Sequence, residues 1–345
     1  MTEPSRPADG ASDPPALALL SMITGKWVAQ ALYVAAKLGI ADMLVDGHVP
    51  CDELARANQV DERSLYRVLR ALASLGVFNE VTRRRFGLTP MSQYLRSDVN
   101  GSLRGLTILM GEEWTWKPWG DLLRSVKTGD PAFSRAYDMS LFDYFQVHPS
   151  AGAIFDQAMT GISEQSAAAV AAAYDFSGID LLVDVGGGHG ALISAILKAN
   201  SEMRGILFDQ PGVVEGATKR IEDERLLPRC QIRAGDFFEG VPEGGQAYVL
   251  RHIIHDWEDL KANTILENCR KAMAPNGRVL LIEAVIPPGD APHFGKLLDL
   301  EMLVMATGRE RTEPEYRDLL SAAGFRLSRV VPTATYNSVI EGVCA

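Results

Sequence analysis

The chain has few cysteines. Cys51, Cys230, Cys269 and Cys344 are the four in 345 residues, with no C-x-x-C pair and no histidine beside them at metal spacing. This argues against a disulfide framework or a thiolate zinc site, and free thiols in a reducing cytoplasm are the expected state. No apolar run approaches the roughly 20 residues needed to span a bilayer, and no basic stretch is followed by an apolar one at the N-terminus. Neither membrane insertion nor secretion is expected. Positive charge is also scarce: 34 Lys and Arg stand against 44 Asp and Glu, a net of -10, which makes a poor surface for a phosphate backbone. What is present is ordinary for a globular protein, with 47% hydrophobic and 23% charged residues and a length sufficient for two domains.

Residues 1–15 carry Pro4, Pro7, Pro14 and Pro15 among small polar residues and read as a disordered tail. Residues 16–46, with Leu19, Leu20, Ile23, Trp27, Leu32 and Leu38, are helical and too apolar for a solvated surface, so they are expected to meet another chain or domain. A short helix from Asp52 to Asn58, a second capped by Asp61, and a hairpin over Phe78–Leu88 form a winged-helix pattern. The middle stretch is mostly helical and rich in aromatics, including Trp114, Trp116, Trp119, Phe142 and Phe145, and the three tryptophans are read as core. From about residue 179 strands alternate with helices, at 179–185, 204–209, 230–234, 246–251, 278–284, 325–332 and 335–343. This predicts an α/β, doubly wound, mainly parallel seven-stranded sheet that ends in an antiparallel hairpin. The expected domains are a helical, winged-helix domain over 16–165 and a Rossmann-like domain over 166–345.

The segment Leu182-Val-Asp-Val-Gly-Gly-Gly-His-Gly190 is a buried strand that breaks into glycines before a helix, which suits a nucleotide-like cofactor. Gly186, Gly188 and Ala191, with Asp209 at about the right spacing, also satisfy a dinucleotide fingerprint. Asp184 favours a different ligand: a carboxylate before the first glycine suits an ammonium and repels a pyrophosphate. S-adenosylmethionine (SAM) has an ammonium and a sulfonium but no phosphate. Asp209 can accept hydrogen bonds from ribose hydroxyls. In Gly235-Asp236-Phe237-Phe238 the acid can accept from an adenine amino group while Phe237 packs on the ring.

The segment Leu250-Arg-His-Ile-Ile-His-Asp-Trp-Glu-Asp259, together with Gly308-Arg-Glu-Arg-Thr312, makes nearly the whole chain resemble the caffeate and acetylserotonin O-methyltransferases, in their bacterial natural-product branch. The resemblance implies SAM as cofactor, S-adenosylhomocysteine as product, and a homodimer formed through the N-terminal domain. It implies SAM contacts at Gly186, Asp209, Asp236, Phe237 and Arg251, a general base at His255, flanking acids at Glu283 and Glu310, and no metal. Arg251 stands where plant relatives commonly carry lysine. Phe155, Met159, Met302 and Met305 match positions that line the substrate pocket. The chemistry fits these residue types. A phenol with a pKa of about 10 is mostly protonated at neutral pH, and a histidine can take its proton as the oxygen attacks the methyl group. An acid on the other ring nitrogen would fix the tautomer.

Two rivals remain open at this level. The winged helix could bind DNA, with Arg63, Arg67 and Arg70 on one helix face, although residues 1–100 hold eleven Lys or Arg against eleven Asp or Glu. The same fold could instead serve C-methylation or a SAM-dependent hydroxylation.

Overall fold

The computed structural model describes residues 14–345, so most of the 1–15 tail lies outside the described residues. The chain divides into two compact units, Met1–Ser97 and Asp98–Ala345.

The first unit opens with α1 (Pro15–Lys37), which has a proline at its first position and ends ahead of the left-handed Gly39, then α2 (Ile40–Met43). Next come β1 (Val49–Pro50), α3 (Cys51–Asn58), α4 (Glu62–Ser74), β2 (Phe78–Thr82) and β3 (Arg85–Leu88). The Asp61 carboxylate caps α4 by accepting from the Ser64 amide at 2.8 Å. Leu65, Leu69 and Leu72 recur at helical spacing and are buried against Leu54, Phe78 and Phe86. The three strands pair antiparallel in the order β1-β3-β2, and Arg84 takes the left-handed turn position. Two helices followed by a hairpin reproduce the winged-helix reading.

One expectation about this unit is corrected. Helix α1 has 23 residues and a mean hydropathy of 1.3, enough by length and composition to cross a membrane. Ser21, Thr24, Gly25 and Lys26 interrupt its apolar residues without breaking the helix. Leu19, Met22, Ile23 and Trp27 on it are exposed.

The second unit begins with six helices: α5 (Arg104–Gly111), α6 (Glu113–Trp119), α7 (Leu122–Thr128), α8 (Ala132–Tyr137), α9 (Leu141–Val147) and the long α10 (Pro149–Ala173). Then come β4 (Leu181–Val185), α11 (Ala191–Ala199), β5 (Arg204–Asp209), α12 (Pro211–Asp223), β6 (Cys230–Ala234), β7 (Ala247–Arg251), α13 (Asp259–Ala272), β8 (Arg278–Ala284), α14 (Phe294–Met305), α15 (Glu313–Ala322), β9 (Phe325–Pro332) and β10 (Asn337–Cys344). The sheet order is β6-β5-β4-β7-β8-β10-β9, parallel except for β10, which runs antiparallel to both neighbours. Each expected strand is present to within two residues. Order reverses between β4 and β7, so a crevice opens beyond their carboxyl ends, where ligands of such sheets bind.

The expected domain boundary at 165/166 differs from the structure, because it falls inside α10. That helix is rich in small residues, and its buried Ala158 and Gly161 let α5 approach so closely that a Cβ on Gly161 would overlap the Ser102 carbonyl. Farther along, Ala167 and Val170 join the core of the sheet with Ile193 and Leu197 of α11. The middle helices are thereby tied to the sheet unit. Of the three tryptophans read as core, Trp114 is buried but Trp116 is exposed.

Candidate active site

The glycine loop follows β4 because positive backbone angles are needed there. Gly186 has φ 69° and Gly188 φ 56°, values that side-chain-bearing residues rarely adopt. A Cβ on Gly186 would overlap the Ile253 side chain, so the loop also lies against the segment that leaves β7. Asp209, at the end of β5, accepts from the Gly188 amide and from the Gln210 amide, both at 2.7 Å. Burial raises its pKa, and those two bonds work against the rise.

Asp184 is buried in β4, and its Oδ2 has no hydrogen-bond partner. Burial and the neighbouring Asp209 push its pKa up to about 7, against the pull of Arg251. Arg251 ends the adjacent strand β7, where its Nε donates to Ser166 Oγ at 3.1 Å and its Nη1 to Ser163 Oγ at 2.7 Å; Nη2 is buried and unpaired. An orphaned acid oxygen and an orphaned guanidinium nitrogen on neighbouring strands are the partners that an ammonium and a carboxylate, the two ends of an amino acid, would need. The group expected here carries such an amino acid, so the residues fit it. Asp236 is exposed and holds its turn by accepting from the Phe238 amide at 2.8 Å, while Asn268 donates to the Phe237 and Phe238 carbonyls at 2.9 and 3.0 Å. Gly235 continues this turn, its amide donating to the Asp209 carbonyl at 3.0 Å. The Phe237 ring is half-buried beside Gly186.

After β7 the chain makes a 3-10 turn, Ile254–Asp256, that buries His255. The ring Nδ1 lies 2.6 Å from Glu310 Oε1 and 3.6 Å from Glu283 Oε2, so it hydrogen-bonds only the former. Asp256 Oδ1 is 3.6 Å from Nε2, beyond hydrogen-bond reach. Glu283, in β8, uses Oε1 to accept from the Ile253 and Ile254 amides at 3.2 and 3.0 Å. The two acids therefore divide the work: Glu310 holds the ring and Glu283 holds the turn. Burial alone would lower the pKa of His255, but Glu283, Glu310 and Asp256 outweigh it and raise it to about 10. Burial raises Glu283 to about 7, with His255 pulling it back. His252, in contrast, is depressed by burial and by the Arg251 charge, and its Nε2 pairs with Asn337 Oδ1 at 3.0 Å, a structural histidine. His189 likewise pairs with Thr160 Oγ1 at 2.9 Å.

Several residues of the site were not singled out from the sequence. Arg311 is fully buried and donates to the Ile254 carbonyl at 3.2 Å, the Trp257 carbonyl at 3.1 Å and Asp259 Oδ1 at 2.7 Å, clamping the turn from both sides of His255. Asp299 Oδ1 accepts from the Glu310 amide at 2.9 Å. Gly308 lies so close that a Cβ would overlap the His255 carbonyl and the backbone of Asp256 and Trp257. The signal for Arg311 and Gly308 was the Gly308–Thr312 segment itself, whose glycine and second arginine had no separate role assigned.

The candidate pocket residues do not all meet. Phe155 and Met159 of α10 join Met305 and Val304 of α14 in one apolar cluster, with Trp114, Trp119, Phe133 and Phe145. Phe155 packs on Phe142 with centroids 6.3 Å apart, and Phe142 stacks on Trp257 at 5.3 Å and 21°, which links this cluster to the His255 turn. Met302 is buried but lies outside that cluster. Among the described residues, His255, Glu283 and Glu310 form the one group with ligand atoms close enough to share a metal ion; these are the same atoms that hold the ring and the turn.

Residues 119–326 match the O-methyltransferase domain family, and residues 20–98 match the O-methyltransferase dimerisation domain, which takes in most of α1. The chain is 47% identical to a phenazine O-methyltransferase, PhzM, of Lysobacter antibioticus over 94% of each chain. The crystal structure of an N,N-8-amino-8-demethyl-D-riboflavin dimethyltransferase from Streptomyces davawensis is similar with TM-score 0.83, 36% identity and coverage of 96% of this chain and 100% of that one. Human N-acetylserotonin methyltransferase, solved in complex with SAM, is similar with TM-score 0.88, 27% identity and coverage of 98% and 100%. The chain therefore belongs to the O-methyltransferase family: it is a SAM-dependent methyltransferase of a kind whose members act on oxygen or nitrogen, with a dimerisation domain ahead of its Rossmann-like catalytic domain.

Proposed function

We propose that the chain methylates a phenolic hydroxyl of a small aromatic natural-product intermediate, with His255 as general base, without a catalytic metal, and as a homodimer. The observation that carries this reading is the buried His255–Glu310 bond of 2.6 Å, which supports an Nδ1–H donated to the carboxylate and, once the ring is neutral, an Nε2 free to take the proton of the acceptor. SAM, when bound, supplies a methyl group on a sulfonium, an electrophile that needs no further activation. Asp184 and Arg251 would hold its amino-acid end, Gly186 and Gly188 its close approach to the loop, Asp209 its ribose, and Asp236 with Phe237 its adenine. Glu283 keeps the turn in place through the Ile253 and Ile254 amides.

The surrounding acids raise the ring pKa toward that of a phenol, which lowers the cost of moving the proton between them. Phe155, Met159 and Met305 would form an apolar wall for a flat acceptor, with Met302 beside them. The relative named for phenazine O-methylation supports an aromatic acceptor. An amine nitrogen is the second reading, favoured by the riboflavin dimethyltransferase relative. The deciding experiment is incubation of the protein and SAM with matched phenols and anilines, followed by mass spectrometry and NMR. Methyl ethers support the proposal, whereas N-methyl or ring-methyl products, or none, overturn it.

A further inference from the structure

We infer that Glu301 is a specificity-determining residue, which selects an aromatic acceptor bearing a protonated nitrogen. This rests on the reading of the chain as a methyltransferase of small aromatic acceptors. Helix α14 places Glu301, Val304 and Met305 at spacings of three and four residues, hence on one face. Val304 and Met305 lie within the apolar cluster that holds Phe155 and Met159, so Glu301 shares a helix face with two residues of that cluster and is itself tied to a third, Trp119. Among the described residues one group is seen to bind it: Trp119 Nε1 donates to Oε2 at 2.6 Å, and Trp119 belongs to the same cluster.

A carboxylate has about four lone-pair positions, and one indole proton fills one of them. Among the described residues no lysine, arginine or histidine lies within ion-pair reach of Glu301. Glu301 is half-buried, so water reaches part of the carboxylate, but burial still raises its pKa and the Trp119 bond only partly offsets this, as for an acid with no protein counter-charge. If the indole were all that needed holding, a neutral amide would accept its proton without this cost. A charged acid at this point in an apolar wall is complementary to a cation that arrives with the acceptor. A hydroxyl donor would leave the charge uncompensated, whereas an ammonium or protonated ring nitrogen removes it.

The test uses two probes of nearly equal shape, 3-hydroxybenzylamine and 3-hydroxybenzyl alcohol, titrated calorimetrically into the dimer loaded with S-adenosylhomocysteine. The wild type is expected to bind the amine at least tenfold more tightly than the alcohol. Glu301→Gln should bring that ratio to about one while its thermal midpoint stays near the wild type. Trp119→Phe, which unties the carboxylate, should lower the ratio severalfold. Equal binding of the two probes by the wild type, or an unchanged ratio in Glu301→Gln, would overturn the inference; in the latter case with a lowered melting point, Glu301 is a structural support for Trp119. If Glu301→Gln does not fold, the wild-type ratio is followed with pH: it must fall on acidification, as the acid takes up its proton, and a constant ratio refutes the inference. Because this reads binding without turnover, failure of both probes to be methylated counts against the O-methyl reading alone.

Discussion

His255 is surrounded by three acids, which makes it a strong base held for most of the time as its conjugate acid. His255→Ala should keep SAM binding nearly intact by calorimetry and lose turnover by a factor on the order of 10² or more; turnover near the wild-type value would remove the base assignment. Activity that depends on the neutral ring rises with pH as the proton leaves. Glu310 is among the charges that raise the ring pKa, so Glu310→Gln should move the rising limb of the kcat/KM profile to lower pH while reducing its plateau. A limb that stays in place would show that Glu310 exerts no field on the ring. Asp184 makes the opposite kind of contribution. Its folded pKa is raised to about 7 from 3.8, so its burial costs stability that grows as pH rises through that interval and is complete above it. Asp184→Asn should therefore melt higher than the wild type at pH 8 without ligand, and SAM should no longer stabilise it. His255, Glu283 and Glu310 were all legible in the sequence as a trio. Which acid takes the ring was not, because that depends on side-chain directions across three separate segments.

The turn Ile254–Asp256 is a short element with little packing of its own, and it is held from outside by the Glu283 carboxylate and the Arg311 guanidinium. Arg311→Met removes the donors from two buried carbonyls and from Asp259, and is expected to destabilise the fold by about 3 kcal/mol in urea titrations; a change within error would show the turn to be self-supporting. Gly308→Ala would push on the backbone at His255. A shift of the base by a fraction of an ångström is expected to lower kcat at least tenfold with little change in SAM affinity. The strands were readable because β4, β7 and β8 are continuous apolar runs covered on both faces. The domain boundary was not, since the alanine-rich α10 has a buried stripe along its whole length and gives no break in pattern where the aromatic stretch ends. Likewise the helix of α1 is legible in the sequence but its full apolar length is not, because small polar residues dilute its composition without breaking its helix.

Across the whole molecule, the exposed Leu20, Met22, Ile23 and Trp27 of α1 lie within the segment matched by the dimerisation domain. Light scattering at micromolar concentration should give twice 37.6 kDa, and Ile23→Glu with Trp27→Glu should shift the mass toward one chain. An unchanged mass in that double variant would place the interface elsewhere. The net charge of -10 fits this picture better than a DNA-binding one, and no gel shift with duplex is expected at physiological salt. Asp184, Arg251 and Glu283, proposed for the donor and the base, belong to three adjoining strands, β4, β7 and β8, whereas the proposed apolar wall comes from α10 and α14. Demands on the two sets are separable. Substitutions on the helices can retune which molecule is accepted while the sheet-borne machinery stays as it is, an arrangement that makes the fold easy to diversify and hard to disarm.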